Sequence, residues 1–206
     1  MIPVSGFEDF KGKFSSVKDL RELYVFLLFD EPREKVVQTF VDKQFDWLDR
    51  LAAASNVFGF AFVHRDLDTG RIVNPSLQVA ELFDIRPIQL PGVVVFSMLP
   101  GDENVSGAVY LPLKPEVLDD GQAGLEPFFR ELFSRLQDAQ ESSISGGTSI
   151  ERFEKLIRDA GTAERRATVG KYAWSQIQGI TKFPAKLVES LTKAFAEAVA
   201  KQAFGG

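Results

Sequence analysis

Short apolar runs bounded by turn residues predict a sheet of four strands. The runs contain no charged residue, which is typical of strands that are buried on both faces of a sheet. In the second run, phenylalanine alternates with Gly59 and Ala61. Large side chains are therefore expected on one face, with a helix or a partner backbone close to the other. A turn at residues 100–103 makes a hairpin of the last two strands. The predicted strands are residues 23–29, 57–63, 93–96 and 108–113.

Apolar residues spaced three and four apart predict helices between and after these strands. One such face runs through residues 32–54, begins at a proline suited to a first helical turn, and ends at Asn56. Ser76 is expected to cap a short helix that reaches Phe83. A further helix is expected at residues 125–140. The predicted order is strand, helix, strand, helix, strand, strand, helix, which is an α/β fold.

The composition changes after residue 140. Residues 141–149, ESSISGGTS, are small and polar, which predicts a linker between an α/β domain at 1–140 and an extension at 150–206. Beyond the linker the apolar positions have helical spacing, so the extension is expected to be all-helical. In its last predicted helix, residues 184–204, an apolar face lies opposite alternating Lys and Glu. Because a membrane-surface helix is expected to have a basic polar face, we expect this helix to dock onto protein, either its own sheet domain or a second copy.

Charge and composition exclude several classes of function. The net charge of -5 argues against a general affinity for nucleic acid, which depends on neutralising phosphates. No apolar run is long enough to span a membrane, and the first residues lack the pattern of a secretory signal. The sequence contains no cysteine, so no disulfide can form. A cytoplasmic location is the expectation that fits best.

The segment NPSLQVAELFDIRPIQLPGVVVFSM, at residues 74–98, resembles the second half of a thioredoxin fold. In that family a parallel strand–helix–strand unit precedes a short helix, an antiparallel hairpin and a closing helix, and the resemblance covers about residues 20–140. Residues 83–86 stand where the family ends its short helix, and Pro91 stands where it has a cis-proline before a strand. Residues 87–89 are an extra stretch that departs from the family pattern. The alternative is an unrelated α/β sandwich with a similar element order.

The resemblance implies a binding function without redox chemistry. The family's redox motif would fall at residues 30–34, where this chain has DEPRE and hence no thiolate nucleophile. The groove beside the family's cis-proline takes extended peptide. Leu90, Pro91 and Gly92 are therefore expected to form a peptide-binding edge by strand addition. We expect a protein-binding or assembly module, without a cofactor, whose partner is another protein or a second copy of the chain.

Polar residues after the second strand suggest an alternative function as a small-molecule-processing enzyme that uses His64, Asp66 or Asp68. His64-Arg65-Asp66-Leu67 matches the start of a protein-kinase catalytic loop, but residue 71 is Arg where magnesium binding needs Asn. Residues 66–70, DLDTG, follow a predicted strand, as the nucleophile motif of haloacid-dehalogenase phosphatases does. That family has Thr or Val four residues after the first aspartate, where this chain has Gly70. His64 is the only histidine, so a zinc site of histidines and cysteines is excluded.

The chain ends in Gly205-Gly206, which resembles the acceptor tail of ubiquitin-like proteins. A conjugation substrate is thus a further alternative. The body of the chain does not resemble a ubiquitin fold, and glycine is also the residue that commonly ends a helix.

Overall fold

A mixed β-sheet between two layers of helices forms the body of this α/β protein. The computed structural model describes residues 1–29, 35–62, 75–98, 105–142, 147–160 and the backbone of 165–166. The strands are β1 (Ile2–Val4), β2 (Leu23–Leu28), β3 (Phe58–Phe62), β4 (Gly92–Met98), β5 (Val105–Pro112) and β6 (Arg165–Arg166). The helices are α1 (Phe7–Val17), α2 (Lys35–Ala54), α3 (Pro75–Leu82), α4 (Pro115–Asp119), α5 (Gln122–Glu141) and α6 (Ser149–Asp159), with a 3-10 turn at Pro87–Gln89.

The sheet has the strand order β1-β3-β2-β4-β5, with the two-residue β6 at the far edge. The first three strands are parallel, and β4 is antiparallel to both β2 and β5. Every residue of β2 and β4 is buried, because these two strands have a strand on each side and helices on each face. The fully apolar runs at residues 23–28 and 92–96 follow from that central position.

One face of the sheet is covered by α2, α5 and α6. Phe40 of α2 stacks on Phe129 of α5 with 5.6 Å between ring centroids. Phe153 of α6 is completely buried in the same apolar cluster. Helix α2 is kinked at Gln44, whose φ of -114° and ψ of 16° are not helical.

The opposite face carries most of the aromatic side chains and is covered by α1 and α3. Phe10 of α1 meets Phe26 and Phe60 edge-on, at centroid distances of 5.0 and 5.3 Å. Alternate residues of β3 therefore face different cores, as its sequence predicts. The position of Gly59 is closed by the chain's own Met1, because a Cβ there would lie 2.1 Å from the methionine sulfur.

The predicted strands are confirmed, and so are the helices predicted between them and at residues 125–140, with several corrections. Helix α3 begins at Pro75, so Ser76 lies inside the helix; its buried hydroxyl accepts a hydrogen bond from the Phe29 N–H at 3.3 Å instead of capping the helix. Helix α5 begins at Gln122 and contains Pro127 as its sixth residue, inside the helix, where proline has no N–H to donate to the helical hydrogen bonds. Strand β1 and helix α1 are additional to the predicted elements.

After α5 the chain returns to the sheet. The carboxylate of Glu22 accepts hydrogen bonds from the Ser149 N–H at 3.0 Å and from its hydroxyl at 2.8 Å, at the start of α6. The Arg152 guanidinium donates to the Ala139 carbonyl of α5 at 2.6 Å. Because residues 165–166 form a strand beside β5, the extension is not all-helical. The helices predicted beyond residue 166 and the terminal diglycine lie outside the described residues.

None of the helices within the described ranges is long and apolar enough to cross a membrane.

Candidate functional site

The predicted peptide-binding residues Leu90, Pro91 and Gly92 lie where the chain enters β4. The Leu90–Pro91 peptide bond is cis. Gly92 pairs with Leu28 of β2 on one side and with Pro112 of β5 on the other. Pro91 and Gly92 are buried, whereas Leu90 is half-buried and packs against the aromatic core. Of the three predicted residues, only Leu90 therefore presents side-chain surface to solvent.

Gly92 is required by the close approach of Tyr110. A Cβ on residue 92 would lie 2.3 Å from the phenol oxygen and 2.4 Å from the carbon that bears it. The Tyr110 ring is 1% exposed and its hydroxyl donates to the Gln89 carbonyl at 2.5 Å. Because the ring is enclosed, it has little room to move away from a side chain at position 92. This tyrosine ties β5 to the turn that precedes β4, and the local sequence around it carries no signal of that contact.

The Pro87–Gln89 turn holds Leu90 in place. The Gln89 N–H donates to the Arg86 carbonyl at 2.9 Å, and the Gln89 side chain accepts from the Arg86 N–H at 2.8 Å. The Leu90 N–H donates to the Pro87 carbonyl at 3.2 Å. The Leu90 carbonyl accepts no hydrogen bond from any residue that the structure describes. It is therefore an acceptor without a partner among the described residues.

Helix α3 also meets this end of the sheet. Strand β2 ends at Leu28, and the Phe29 N–H that follows is bound by the Ser76 hydroxyl in the first turn of α3. The start of α3 and the Pro87–Gln89 turn therefore lie at the end of the sheet that holds Leu90.

The polar residues proposed for the enzymatic alternative, His64, Asp66 and Asp68, lie outside the described residues, and so does the 30–34 stretch. In the part of the chain that is described, no group of His, Asp and Glu side chains is arranged to hold a metal ion. A cavity of about 10 Å³ lies between α1, α3 and the β4–β5 hairpin, with only apolar lining that includes Phe83, Phe96 and Val105. That volume is comparable to one water molecule, and an apolar cavity of this kind is expected to stay dry.

Burial raises the pKa of two acidic side chains, neither of which belongs to the candidate site. Burial raises the pKa of the Glu81 carboxyl on α3 above its ordinary value. Burial also raises the pKa of Tyr24 to about 12, while its hydroxyl bonds to backbone carbonyls after α1. Neither group lies beside a nucleophile in the described structure, so these shifts do not indicate acid–base catalysis.

No protein-family model matches this chain, and no curated protein matches it either. The function must therefore be inferred from the site. What its residues offer is a half-buried leucine, a backbone acceptor and a turn held by hydrogen bonds, which suit recognition of a polypeptide.

Proposed function

We propose that this chain is a thioredoxin-like protein without thiol chemistry, which binds extended segments of partner proteins where Leu90 precedes β4. The observation that carries the proposal is the Leu90 carbonyl, which accepts no hydrogen bond from the described residues, beside a half-buried side chain. When an extended peptide binds, main-chain hydrogen bonds supply affinity and contacts with its side chains supply specificity.

The element order supports the thioredoxin-like assignment. The parallel β2–α2–β3 unit is followed by the short helix α3, the antiparallel β4–β5 hairpin and the closing helix α5. This is the order that the sequence resemblance implies, and Pro91 precedes β4 as that resemblance requires. The sequence has no cysteine, so a partner would be held without a covalent bond.

The two outer edges of the sheet favour the Leu90 end as the place of binding. At the β1 edge, Pro3 has no N–H to donate, and its carbonyl accepts a hydrogen bond from the Lys13 ammonium at 2.6 Å. At the other edge, β6 pairs with Val109 and Tyr110 of β5. Proline, lysine and a covering strand are features that protect a sheet edge from further pairing.

The proposal can be tested by panning a phage-displayed library of random dodecapeptides on the full chain. We expect enriched peptides whose affinity falls about tenfold in Leu90→Ala, since the apolar contact of one leucine is lost. Leu20→Ala is the matched control, because Leu20 is 57% exposed and precedes β2 at the opposite end of the sheet. Methylation of one backbone nitrogen of the peptide should weaken binding similarly, by removing the donor to the Leu90 carbonyl.

The proposal is wrong if no peptide is enriched. It is equally wrong if the enriched peptides bind wild type and Leu90→Ala with the same affinity while both proteins show the same thermal unfolding.

A further inference from the structure

The described residues cover the outer edge of β5 over only part of its length. On its inner side this eight-residue strand pairs with β4 from one end to the other. On its outer side only Val109 and Tyr110 have partners, which are Arg166 and Arg165 of β6. No other described strand lies on that side of the sheet. An uncovered edge presents backbone N–H and C=O groups to which another strand can bind.

The direction of β6 determines which part of β5 the following residues can cover. Because β6 is antiparallel to β5, its residue numbers rise as those of β5 fall. The chain after Arg166 therefore leads along β5 towards the start of that strand. With the register unchanged, the next residue, Ala167, would lie opposite Ala108. Thr168 would then lie opposite Gly107.

The geometry of β5 also defines where such a covering strand would end. Ala108 and Gly107 are both in regular register with β4, so β5 is a straight template at these two positions. The register then shifts, because Ser106 falls between two successive pairs with β4. A bulge of this kind bends a strand and commonly ends its pairing. The edge of β5 therefore has room for two more regular pairs after those that β6 already makes.

The connection from α6 makes the same chain the favoured source of the covering strand. Helix α6 is packed against β5, since a Cβ added to Gly107 would lie 3.0 Å from Cγ2 of Ile150. The helix ends at Asp159 and β6 begins at Arg165, so only a short connection separates them. A short connection gives the attached segment a high effective concentration at β5, which a strand from a second molecule does not have.

We infer that residues 165–168 form one continuous edge strand, and that Ala167 and Thr168 of the same chain cover the outer edge of β5 at Ala108 and Gly107. Thr168 and the Val169 that follows it are β-branched, and such residues are enriched in strands. This inference is independent of the proposed binding at Leu90. Its consequence is that the β5 edge is closed to strands from other molecules.

Disulfide cross-linking tests the register, and the chain has no native cysteine to interfere. In the full chain, the variant Ala108→Cys with Ala167→Cys puts two thiols directly opposite each other, with Cβ atoms about 4.5–5.5 Å apart, close enough for a disulfide after a small adjustment. The matched control is Ala108→Cys with Thr168→Cys, because a shift of one residue turns the second thiol to the other face of the sheet. We expect the first pair to form an intramolecular disulfide about tenfold faster or more under a mild oxidant, followed by thiol labelling and mass spectrometry.

Amide hydrogen exchange provides a second measurement that does not depend on cysteine. Backbone N–H groups alternate in direction along an antiparallel strand, so either Gly107 or Ala108 donates away from β4. The double variant Ala167→Pro with Thr168→Pro cannot form the two additional pairs, because proline has no N–H to donate. We expect the outward amide to exchange faster in this variant than in wild type, with the amide of Val25 in the central strand β2 unchanged.

Several results would overturn the inference. If the first cysteine pair fails to oxidise, or oxidises no faster than the control pair, the register of β6 does not continue. If its disulfide forms only between two molecules, the occupant of the edge is a second copy of the chain. If the double proline variant leaves exchange at both Gly107 and Ala108 unchanged, these residues of the chain do not cover the edge. The peptide panning at Leu90 is unaffected by any of these outcomes, so the two proposals can fail separately.

Discussion

Replacing Gly92 with alanine tests the packing on which the candidate site depends. The added Cβ would lie 2.3 to 2.5 Å from three atoms of the Tyr110 phenol ring. Contacts of that length do not occur, so either the ring or the backbone of β4 must move. The ring is 1% exposed and is held by its hydrogen bond to the Gln89 carbonyl, so the movement also weakens that bond.

The expected cost follows from two destabilising terms and one smaller stabilising term. Forcing an extra carbon into a filled core costs about 1–3 kcal/mol. Loss of the hydrogen bond between Tyr110 and Gln89 adds about 1 kcal/mol. The lower backbone entropy of alanine in the unfolded chain offsets about 0.5–1 kcal/mol. The net expectation is a loss of about 1–3.5 kcal/mol, or a fall in unfolding temperature of about 2–14 °C for a chain of this size.

The assay is urea unfolding at equilibrium, followed by circular dichroism, on wild type and two glycine variants. Gly12→Ala is the control, because Gly12 lies in helix α1 and an added Cβ there has no atom within 4 Å. It should be neutral or more stable than wild type by up to about 1 kcal/mol. If Gly92→Ala is as stable as Gly12→Ala, the Tyr110 ring does not fill the space beside β4, and the rigidity assigned to the turn is unfounded.

Two further substitutions test other contacts of the fold. Tyr24→Phe should cost about 1–2 kcal/mol at neutral pH, because buried carbonyls lose a donor. The folded-state pKa of Tyr24 is raised from 10.0 to about 12, so its contribution to stability is fully present below pH 10.0 and is lost as the pH rises towards 12. The difference in free energy of unfolding between wild type and Tyr24→Phe should therefore narrow over this pH range. A constant difference would contradict the assignment. Glu22→Gln should cost about 1–2 kcal/mol and speed amide hydrogen exchange in α6, because the bonds to Ser149 lose their charge. The control is Glu8→Gln, a change at an exposed carboxylate. If amide hydrogen exchange in α6 is equally fast in Glu22→Gln and in this control, the contact of Glu22 with Ser149 does not hold the helix.

The central part of the fold could be predicted because its strands are buried on both faces. In a chain of this composition, an uninterrupted apolar run of strand length such as residues 23–28 indicates a strand buried on both faces. Strand β1 is three residues long and includes Pro3, so it carries no recognisable period. Helix α1 did carry a signal, since Phe7, Phe10 and Phe14 share one helical face.

The details of the candidate site depend on contacts that sequence periodicity does not contain. Pro91 could be placed before β4 from the resemblance. The contact of Tyr110 with Gly92 depends on the pairing of Gly92 with Pro112, which fixes how far β5 extends beside the turn. Registers between distant strands are set by the whole sheet, so a local pattern cannot give them.

The size of the proposed surface bears on how long a partner segment must be. Burial of the exposed part of Leu90 contributes at most about 1.5–3 kcal/mol, and one hydrogen bond to its carbonyl about 1 kcal/mol. Association costs at least about 4 kcal/mol in lost translational and rotational freedom. A segment that contacts only Leu90 would therefore bind more weakly than millimolar, and a partner segment must make further contacts along its length. A selected peptide that is shortened to the three or so residues around its contact with Leu90 should thus lose measurable binding, and full affinity of such a short peptide would contradict this estimate.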